Sequence, residues 1–341
     1  MDLFIPSRVF FEPGALEYPL GRQLYDLMES KGIPIRITPS HNRVLGIPGD
    51  TPQIAYREAK RTLVVGVKKT LKLNTCRPSA DYEFALGTSC PGGCQYCYLA
   101  TTLGRKPYIR IYVNVDEILA AVEAYIEKHH PDITHFEAAS TSDPLAVEHL
   151  TGSLQKTIAF FGRQEYGRLR VVTKFANVDG LLELNHRGHT KFRFSINSAF
   201  AINTFEAKTP SLTERLGAAG KMAAAGYPLG FIIAPLFLYE DWQADYRQLL
   251  EDLAAWIQPH QPSSLSFELI SHRFTARAKK IILERFPQTK LKMEEGSRKL
   301  KWGKYGYGKY VYPPDQLETL KNWFTQEINR LFPKAEIEYF T

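Results

Sequence analysis

Short apolar runs alternate with amphipathic helical stretches over the middle of the chain. Six of the runs have the length and the β-branched or aromatic content of strands: YEFALG (82–87), ITHFEAA (133–139), LRVVTKF (169–175), KFRFSIN (191–197), LGFIIAP (229–235) and SLSFELI (264–270). Strands that alternate with helices favour a parallel sheet with right-handed crossovers. Six units in roughly 190 residues are too short for an eight-unit barrel, which usually takes about 250. The pattern therefore predicts an α/β fold with a partial (β/α)6 TIM-like barrel.

The segments on either side of this region predict further elements. Residues 1–78 are predicted to form a small N-terminal α/β domain, and residues 79–341 the barrel domain with its extensions. The N-terminal elements are helices around 20–31 and 53–61 and the strands PIRITPS (34–40) and TLVVGVKK (62–69). The C-terminal elements are a β-hairpin at about 298–312, a helix from about Pro314 to Leu331 and a last strand, AEIEYF (335–340).

The composition is that of a soluble globular protein. The chain has 341 residues, of which 44% are hydrophobic and 23% charged. No apolar run reaches the ~18 to 20 residues that cross a bilayer. The opening stretch MDLFIPSRVFFEPG lacks the basic start, apolar centre and cleavage site of a signal peptide. We therefore expect a cytoplasmic protein.

The formal net charge of +7 is concentrated in one region. Residues 271–310 carry twelve Lys or Arg against three Glu, so the rest of the chain is close to neutral. A basic region on a nearly neutral body indicates a polyanionic partner. Nucleic acid is favoured over a membrane, because no amphipathic insertion helix accompanies the charge.

Three of the four cysteines, Cys90, Cys94 and Cys97, lie in the stretch CPGGCQYCY after the first predicted barrel strand. Clustered thiols are typical of metal ligands rather than of a disulfide framework. A structural zinc ion usually takes four ligands, and Cys76 would be the fourth. An iron–sulfur cube can take three thiolates and leave one iron open. The C-x3-C-x2-C spacing, the loop position and the barrel favour the cube, and they resemble the radical S-adenosylmethionine enzymes. Cys76 is then expected to be a half-buried structural thiol.

That resemblance implies a four-iron four-sulfur (4Fe-4S) cluster on the three cysteines, with S-adenosylmethionine bound at the open iron. Tyr96 is expected near the adenine, and GFIIAP (230–235) resembles the family's adenine-contacting strand, with Ala234 where glycine is more usual. The other implied cofactor contacts are Ser142 and Asp143 for the amino group, Lys174 for the carboxylate and Ser195 for the ribose. For each, a strand-end cap or a surface group is the alternative.

The stretches SCPGGCQYCYLATTLGRKPYIRIYVN, HFEAASTSDPL and KWGKYGYGKYVY resemble the spore photoproduct lyase family, and the resemblance covers the whole length. It implies a carbon–carbon lyase that repairs DNA. A 5′-deoxyadenosyl radical takes the C6 hydrogen of the lesion 5-thyminyl-5,6-dihydrothymine, the methylene bridge breaks, and two thymines result. It also implies the spore core as the location and an electron donor for the cluster. Neither a membrane nor an obligate protein partner is expected.

The predicted hairpin fits a DNA substrate independently of the resemblance. Its basic residues suit phosphates, and its aromatic residues suit an extruded dinucleotide. The candidate DNA contacts are Arg273, Lys301, Trp302, Lys304 and Tyr305. The alternative is a solvated hairpin whose aromatic face packs on the barrel.

Position 140 is the largest departure from the family pattern. The family has a cysteine there that gives a hydrogen atom to the product thymine radical, and this chain has Ser140, whose O–H bond is too strong for that step. Either Ser140 marks an engineered variant impaired in the final hydrogen donation, which we favour, or the chain ends the radical another way. Tyr98 and Tyr96 are candidates for returning the hydrogen towards 5′-deoxyadenosine, and wall or adenine packing is their alternative.

Two other functions remain open from the sequence. A radical enzyme that modifies another nucleic acid, such as RNA, would use the same basic hairpin. A non-catalytic nucleic-acid binder stabilised by zinc would explain the thiols and the charge without any chemistry.

Overall fold

The computed structural model describes residues 2–260, 262, 264–302, 306 and 308–341. The α-helices in these ranges are, in chain order, α1 (Pro19–Ser30), α2 (Pro52–Ala59), α3 (Tyr98–Thr102), α4 (Val115–His129), α5 (Glu148–Thr151), α6 (Ser153–Arg163), α7 (Ala199–Phe205), α8 (Leu212–Ala224), α9 (Trp242–Ile257), α10 (Ala276–Arg285) and α11 (Pro314–Leu331).

The strands of the same ranges are, in chain order, β1 (Arg8–Phe11), β2 (Ile35–Ile37), β3 (Thr62–Gly66), β4 (Asn74–Thr75), β5 (Tyr82–Glu83), β6 (Gly87–Thr88), β7 (Gly93–Cys94), β8 (Ile109–Tyr112), β9 (Thr134–Glu137), β10 (Gly167–Thr173), β11 (Thr190–Ile196), β12 (Glu206–Ala207), β13 (Leu229–Leu236), β14 (Leu265–Ser271), β15 (Lys299–Trp302), β16 (Gly308–Val311) and β17 (Glu336–Phe340).

The larger sheet is the predicted partial barrel. Its eight strands run in the order β17-β14-β13-β11-β10-β9-β5-β4, and neighbours from β5 to β17 are parallel. Helices of the predicted regions connect these strands, which confirms the α/β class and the six-unit partial barrel. Phe136, Phe194, Phe231 and Phe267 are fully buried in its core. In β10 buried and half-buried residues alternate, as expected for a strand that packs mainly on one face.

Local sequence signals explain where the barrel helices begin. Before α8, the Ser211 hydroxyl accepts from the Glu214 N–H at 3.3 Å, and the Glu214 carboxylate accepts from the Ser211 N–H at 2.7 Å. This reciprocal capping box satisfies two backbone donors that the first turn leaves free. The stretch PLAVEHLTGSLQKTIAFFG (144–162) has a pattern that predicts one helix, but the structure divides it into a 3-10 turn at Pro144–Val147 followed by α5 and α6. Gly152, at a φ of +59°, separates the two helices.

The predicted strand at 82–87 is divided between two sheets. β5 pairs with β9 of the barrel, whereas β6 pairs antiparallel with β8 in a second sheet of order β2-β1-β3-β8-β6. A Cβ on Gly87 would lie 2.3 Å from the Arg110 carbonyl oxygen, so only glycine permits this close approach. The second sheet thus combines the N-terminal strands with two strands from beyond residue 78. The domain boundary at 78 stays a prediction.

The C-terminal elements form as predicted. β15 and β16 make the antiparallel hairpin, α11 has the predicted bounds, and β17 joins the barrel sheet beside β14. The hairpin is attached to the segment after β14, because Phe274 and Tyr310 exchange backbone hydrogen bonds of 2.8 and 3.2 Å. Within the described ranges, none of the helices combines the length and the apolar character needed to cross a membrane.

Candidate active site at the cysteine loop

The cysteine loop is fixed to the barrel by a short ladder. β7 pairs with β12, so that Cys94 lies opposite Glu206 and Gly93 opposite Ala207. The Gln95 N–H donates to the Phe205 carbonyl oxygen at 2.9 Å. The Cys97 N–H donates to the Cys94 carbonyl oxygen at 3.3 Å, directly before α3. The backbone that carries the three thiols is therefore held in one conformation.

Two basic side chains from outside the barrel hold this loop and the segment that follows it, α3 and its C-terminal turn. Lys60, at the end of α2, is 3% exposed, and its ammonium donates to the Cys90 carbonyl oxygen at 2.8 Å and to the Ser89 hydroxyl at 3.3 Å. Arg285, the last residue of α10, donates to the Gly104 carbonyl oxygen at 2.7 Å and lies 4.9 Å from the Tyr56 ring centre. The loop is thus a junction of α2, α10 and the barrel.

The three thiols of the loop are compatible with a cluster. Within the described ranges, no three His, Cys, Asp or Glu side chains converge as a single metal ion requires. A cube does not need such convergence, because three of its irons take one thiolate each. A Cβ on Gly92 would lie 3.1 Å from the Thr209 methyl carbon, so glycine eases the close packing of this loop against Thr209. Burial raises the pKa of Cys90 to about 11, and the Lys60 charge opposes that rise.

Tyr96, Lys174 and Ser195, which were predicted separately, lie together. The Lys174 ammonium donates to the Ser195 hydroxyl at 2.9 Å, to the Tyr96 hydroxyl at 3.3 Å and to a Glu206 carboxylate oxygen at 3.0 Å. The Tyr96 hydroxyl also donates to Glu206. Arg215 donates to the other Glu206 oxygen at 2.6 Å. Burial raises the pKa of Tyr96 and the Glu206 charge adds to the rise, so its phenol stays protonated.

Glu206 and Arg215 are the residues that sequence reasoning missed. Both side chains are fully buried, and together with Lys174 they form one ion-pair network directly behind Cys94. The Lys174 and Arg215 charges oppose the effect of burial and hold the pKa of Glu206 below its usual value. The stretch TFEAKT carries no motif, and only the β7 and β12 pairing brings its glutamate to the loop. The only signal in the sequence is that a charged residue, Glu206, directly follows the mostly apolar stretch AFAINTF.

Ser142, Asp143 and Ala234 lie at strand ends as predicted. The Asp143 carboxylate accepts from the Thr173 hydroxyl at 2.7 Å and from the Lys174 N–H at 2.9 Å, so it caps the end of β10. Burial raises its pKa to about 6 although these hydrogen bonds lower it. The buried Ser142 hydroxyl has no hydrogen-bond partner among the described residues. Ala234 is half-buried near the end of β13. Their contacts with a cofactor stay a prediction.

Tyr98 and Ser140 meet at the mouth of the barrel. The Tyr98 side chain is 61% exposed, and its hydroxyl donates to the Ser140 carbonyl oxygen. The Ser140 hydroxyl is buried and has no hydrogen-bond partner among the described residues. A phenol ionises only at about pH 10, so the exposed Tyr98 keeps its hydrogen at neutral pH.

The hairpin presents one strand to solvent. All four residues of β15, including Lys301, are exposed, and Trp302 is 70% exposed. Arg273 is exposed two residues after β14. The other strand is anchored, since the Tyr310 ring stacks on Phe274 with centres 5.3 Å apart. Lys304 and Tyr305, also predicted to contact DNA, lie outside the described residues.

Comparisons with known proteins match this chain over its whole length. A family model described as spore photoproduct lyase matches residues 4–341. A spore photoproduct lyase of Geobacillus sp. is 52% identical over 341 residues, with both chains fully covered. The enzyme of that name from Bacillus subtilis is 50% identical over 338 residues, covering 99% of each chain.

A solved structure extends the match to three dimensions. It is a spore photoproduct lyase double variant with bound AdoMet and dinucleoside spore photoproduct, in which alanine replaces the cysteine at position 140 and cysteine replaces the serine at position 76. The two structures superpose with a TM-score of 0.97 at 52% identity, and each chain is covered completely. A full-length family match, relatives that share half of their residues and the same fold around the cysteine loop show that this chain belongs to the spore photoproduct lyase family.

Proposed function

We propose that this chain repairs DNA by converting 5-thyminyl-5,6-dihydrothymine, the spore photoproduct, back to two thymines. The observation that carries the proposal is the fixed cysteine loop at the carboxyl ends of the parallel strands, next to Tyr96, Lys174 and Tyr98. Relatives with the same fold include a structure with dinucleoside spore photoproduct bound. The reaction class is that of a carbon–carbon lyase, as the family name indicates.

Cys90, Cys94 and Cys97 would hold the 4Fe-4S cluster in this proposal. Together with S-adenosylmethionine, the cluster would supply the radical chemistry that removes the C6 hydrogen of the lesion. Lys174 has a positive charge that suits the methionyl carboxylate, and Ser195 lies within hydrogen-bond distance of the same ammonium. Tyr96 packs edge-on against Phe237 with ring centres 5.8 Å apart, which leaves an aromatic surface for adenine. Ser142 has a free hydroxyl acceptor for the amino group.

The direct test uses the anaerobically reconstituted protein with S-adenosylmethionine and a synthetic lesion dinucleotide. We expect consumption of the dinucleotide, with 5′-deoxyadenosine and thymine products followed by chromatography. A matched incubation with RNA and without the lesion should give no modified nucleotide. Products from RNA, or a colourless protein that holds zinc and no iron, would refute the proposal in favour of one of the two other functions.

Lys60 is predicted to tune the cluster. Its buried ammonium lies against the Cys90 carbonyl oxygen, and a positive charge there favours the reduced, more negative cluster. Lys60→Met keeps the length of the side chain and removes the charge, so the midpoint potential should fall by on the order of tens of millivolts. A redox titration followed by electron paramagnetic resonance measures the shift. The exposed Lys72→Met is the matched control, and equal potentials in both variants would contradict the prediction.

The hairpin is proposed as a DNA-binding surface. Arg273 and Lys301 suit phosphates, and the exposed Trp302 offers a face on which a base can stack. The hairpin is anchored beside the end of β14, so it lies at the same end of the barrel as the cysteine loop. A crosslinked thymine pair is poorly stacked. Extruding it towards this face therefore costs less free energy than extruding two undamaged, stacked bases.

Trp302→Ala should weaken binding of lesion-bearing DNA about tenfold, because base stacking on an aromatic side chain contributes roughly 1–3 kcal/mol. Fluorescence anisotropy with a labelled duplex at fixed salt gives the dissociation constants. Trp256→Ala is the matched control, since Trp256 is 41% exposed on α9, away from the hairpin. Equal affinities of the two variants would contradict a stacking role.

An electron donor is also part of the proposal, because the cluster must be reduced before it acts. The relatives come from Bacillus and Clostridium among others, which supports a place in the spore core. The proposal includes neither an obligate protein partner nor association with a membrane.

A further inference from the structure

Tyr56 is a buried residue of α2 whose hydroxyl group lacks an acceptor in the described part of the chain. The residue is 7% exposed, and its hydroxyl oxygen is buried and finds no hydrogen-bond partner among the described residues. A buried hydroxyl without a partner costs free energy, and a phenylalanine at this position would avoid that cost. The hydroxyl therefore points to an acceptor that the polypeptide itself does not supply.

Two basic side chains lie against the Tyr56 ring. The Lys60 ammonium, one turn further along α2, lies 5.6 Å from the ring centre, and the Arg285 guanidinium lies 4.9 Å from it. Lys60 continues to the Cys90 carbonyl oxygen, to which it donates at 2.8 Å. Arg285 donates to the Ala100 carbonyl oxygen in α3. The ring thus belongs to the contact region that joins α2 and α10 to the cysteine loop and α3.

An aromatic contact also holds the ring. Phe286, the residue after α10, meets the Tyr56 ring edge-on, with ring centres 5.3 Å apart. α2 and α10 are connected further by the Gln53 side-chain amide, which donates to the Glu284 carbonyl oxygen at 2.6 Å. A ring held by its neighbours in this way has little conformational freedom. A hydrogen bond from its hydroxyl therefore costs little additional side-chain entropy.

The phenol oxygen lies close to all three sulfurs of the cysteine loop. Burial raises the pKa of Tyr56, and the negative charges of Cys97, Cys94 and Cys90 add to the rise, whereas the Arg285 charge opposes it. The interaction between two charges falls with their distance, so the influence of all three thiols places them near the hydroxyl. The phenol also keeps its hydrogen at neutral pH and is available as a donor.

We propose that the Tyr56 hydroxyl donates a hydrogen bond to a sulfur atom of the 4Fe-4S cluster and thereby sets how readily the cluster is reduced. The inference rests on the proposed function and adds to it a residue that tunes the redox centre. Sulfur atoms of a negatively charged cluster are acceptors for an otherwise unpaired O–H group. Hydrogen bonds to these sulfurs are among the determinants of the reduction potential.

The direction of the effect follows from charge. Reduction adds an electron to the cluster, and a hydrogen bond to a more negative acceptor is stronger. The Tyr56 hydroxyl therefore stabilises the reduced form more than the oxidised form, which raises the reduction potential. Lys60 acts differently, because its ammonium contacts a backbone carbonyl oxygen and influences the cluster through its charge.

This role also gives the segment before the barrel a part in the chemistry. Tyr56 and Lys60 both come from the end of α2, which precedes the first barrel strand. The sequence of α2, PQIAYREA, contains no motif that would indicate such a role. The N-terminal elements are thus part of the immediate surroundings of the cluster.

The test compares the anaerobically reconstituted chain with Tyr56→Phe, which keeps the ring and removes only the hydroxyl. A redox titration followed by electron paramagnetic resonance should give a lower midpoint potential for the variant. At the midpoint of the unmodified chain, the ratio of reduced to oxidised cluster should fall on the order of fivefold, as expected for the loss of a hydrogen bond to a charged acceptor.

Tyr227→Phe is the matched control. The Tyr227 hydroxyl is also buried, but it donates to the Leu181 carbonyl oxygen at 2.6 Å. Tyr227 directly precedes β13, so it lies at the end of the barrel opposite to the cysteine loop. Its variant should have the potential of the unmodified chain. Equal potentials in all three chains, or the same decrease in both variants, would overturn the proposal.

Pulsed electron paramagnetic resonance of the reduced cluster in D2O detects the hydrogen bond directly. The exchangeable hydrogen of the Tyr56 hydroxyl should give a deuterium coupling to the cluster. This coupling should disappear in Tyr56→Phe and persist in Lys60→Met, because the second variant keeps the hydroxyl. A coupling that persists in Tyr56→Phe would show that another group is the donor, and it would contradict the proposal.

A fluorinated tyrosine introduced at position 56 tests the same bond without removing it. Fluorine next to the hydroxyl makes the phenol a stronger donor, so the midpoint potential should rise, opposite to the change in Tyr56→Phe. An unchanged or lower potential would count against the hydrogen bond. If the reconstituted unmodified chain holds no iron, the proposed function itself fails, whereas iron-loaded chains of equal potential overturn only the role of Tyr56.

Discussion

Replacing Cys94 with alanine should reduce the iron content from about four atoms per chain to well under one and reduce lesion repair to background. Cys94 is buried and lies in the β7 and β12 ladder, so its sulfur has a fixed position that no neighbouring thiol can fill. With Cys94 removed, only two of the three thiolates would hold the cube, and its orientation would no longer be fixed. Iron analysis, the visible absorption spectrum and formation of 5′-deoxyadenosine together measure the loss.

Cys76→Ala is the matched control for this experiment. It removes the fourth cysteine of the chain, and it should leave the iron content and the cluster spectrum unchanged, because Cys76 lies outside the loop. Loss of metal in both variants would contradict the three-thiolate site and would support a four-ligand zinc site instead.

The Arg193→Met variant should lose about 3–5 kcal/mol of the free energy of unfolding. The Arg193 guanidinium is 1% exposed and donates to both Glu268 oxygens at 2.7 and 2.9 Å and to the Ser79 hydroxyl at 2.7 Å. It also forms an ion pair with the buried Glu137. Removing the cation leaves buried negative charge without its partner, which costs far more than the contact itself contributed.

Urea unfolding of the reconstituted protein measures this loss. The exposed pair of Lys221 and Asp179 supplies the control, because Lys221→Met removes an ion pair that solvent already screens. Its expected cost is about 0.5 kcal/mol. A similar small cost for Arg193→Met would show that the barrel interior admits enough water to replace the guanidinium.

Much of the barrel could be predicted because its strands are long apolar runs and its helices have regular spacing. The structure places strands within a few residues of five of the six predicted runs, and α11 within its predicted bounds. YEFALG was the exception, because one apolar run turns at Gly87 and supplies strands to two sheets. β1 and β8 were not predicted although RVFF and IRIY are strand-like, since four residues carry little periodicity.

The candidate site could be predicted only where residues follow a motif or a strand end. The cysteines, Tyr96, Tyr98 and Lys174 were found in this way. Lys60, Glu206 and Arg215 were not, because their roles arise from contacts between distant segments. Lys60 contacts the loop from 30 positions earlier in the chain, and Arg215 reaches Glu206 from the following helix. A buried charged residue whose partner is distant in sequence has no local pattern that would identify it.

The contacts that α2 and α10 make at the cysteine loop affect the stability of the folded chain. A group that binds the native loop and not the unfolded chain stabilises every contact that depends on the loop conformation. Through Lys60 and Arg285 those contacts include the attachment of the N-terminal sheet and of α10. A bound cluster would therefore stabilise contacts between segments that are distant in sequence, in addition to its redox role. Loss of the cluster would weaken the same contacts.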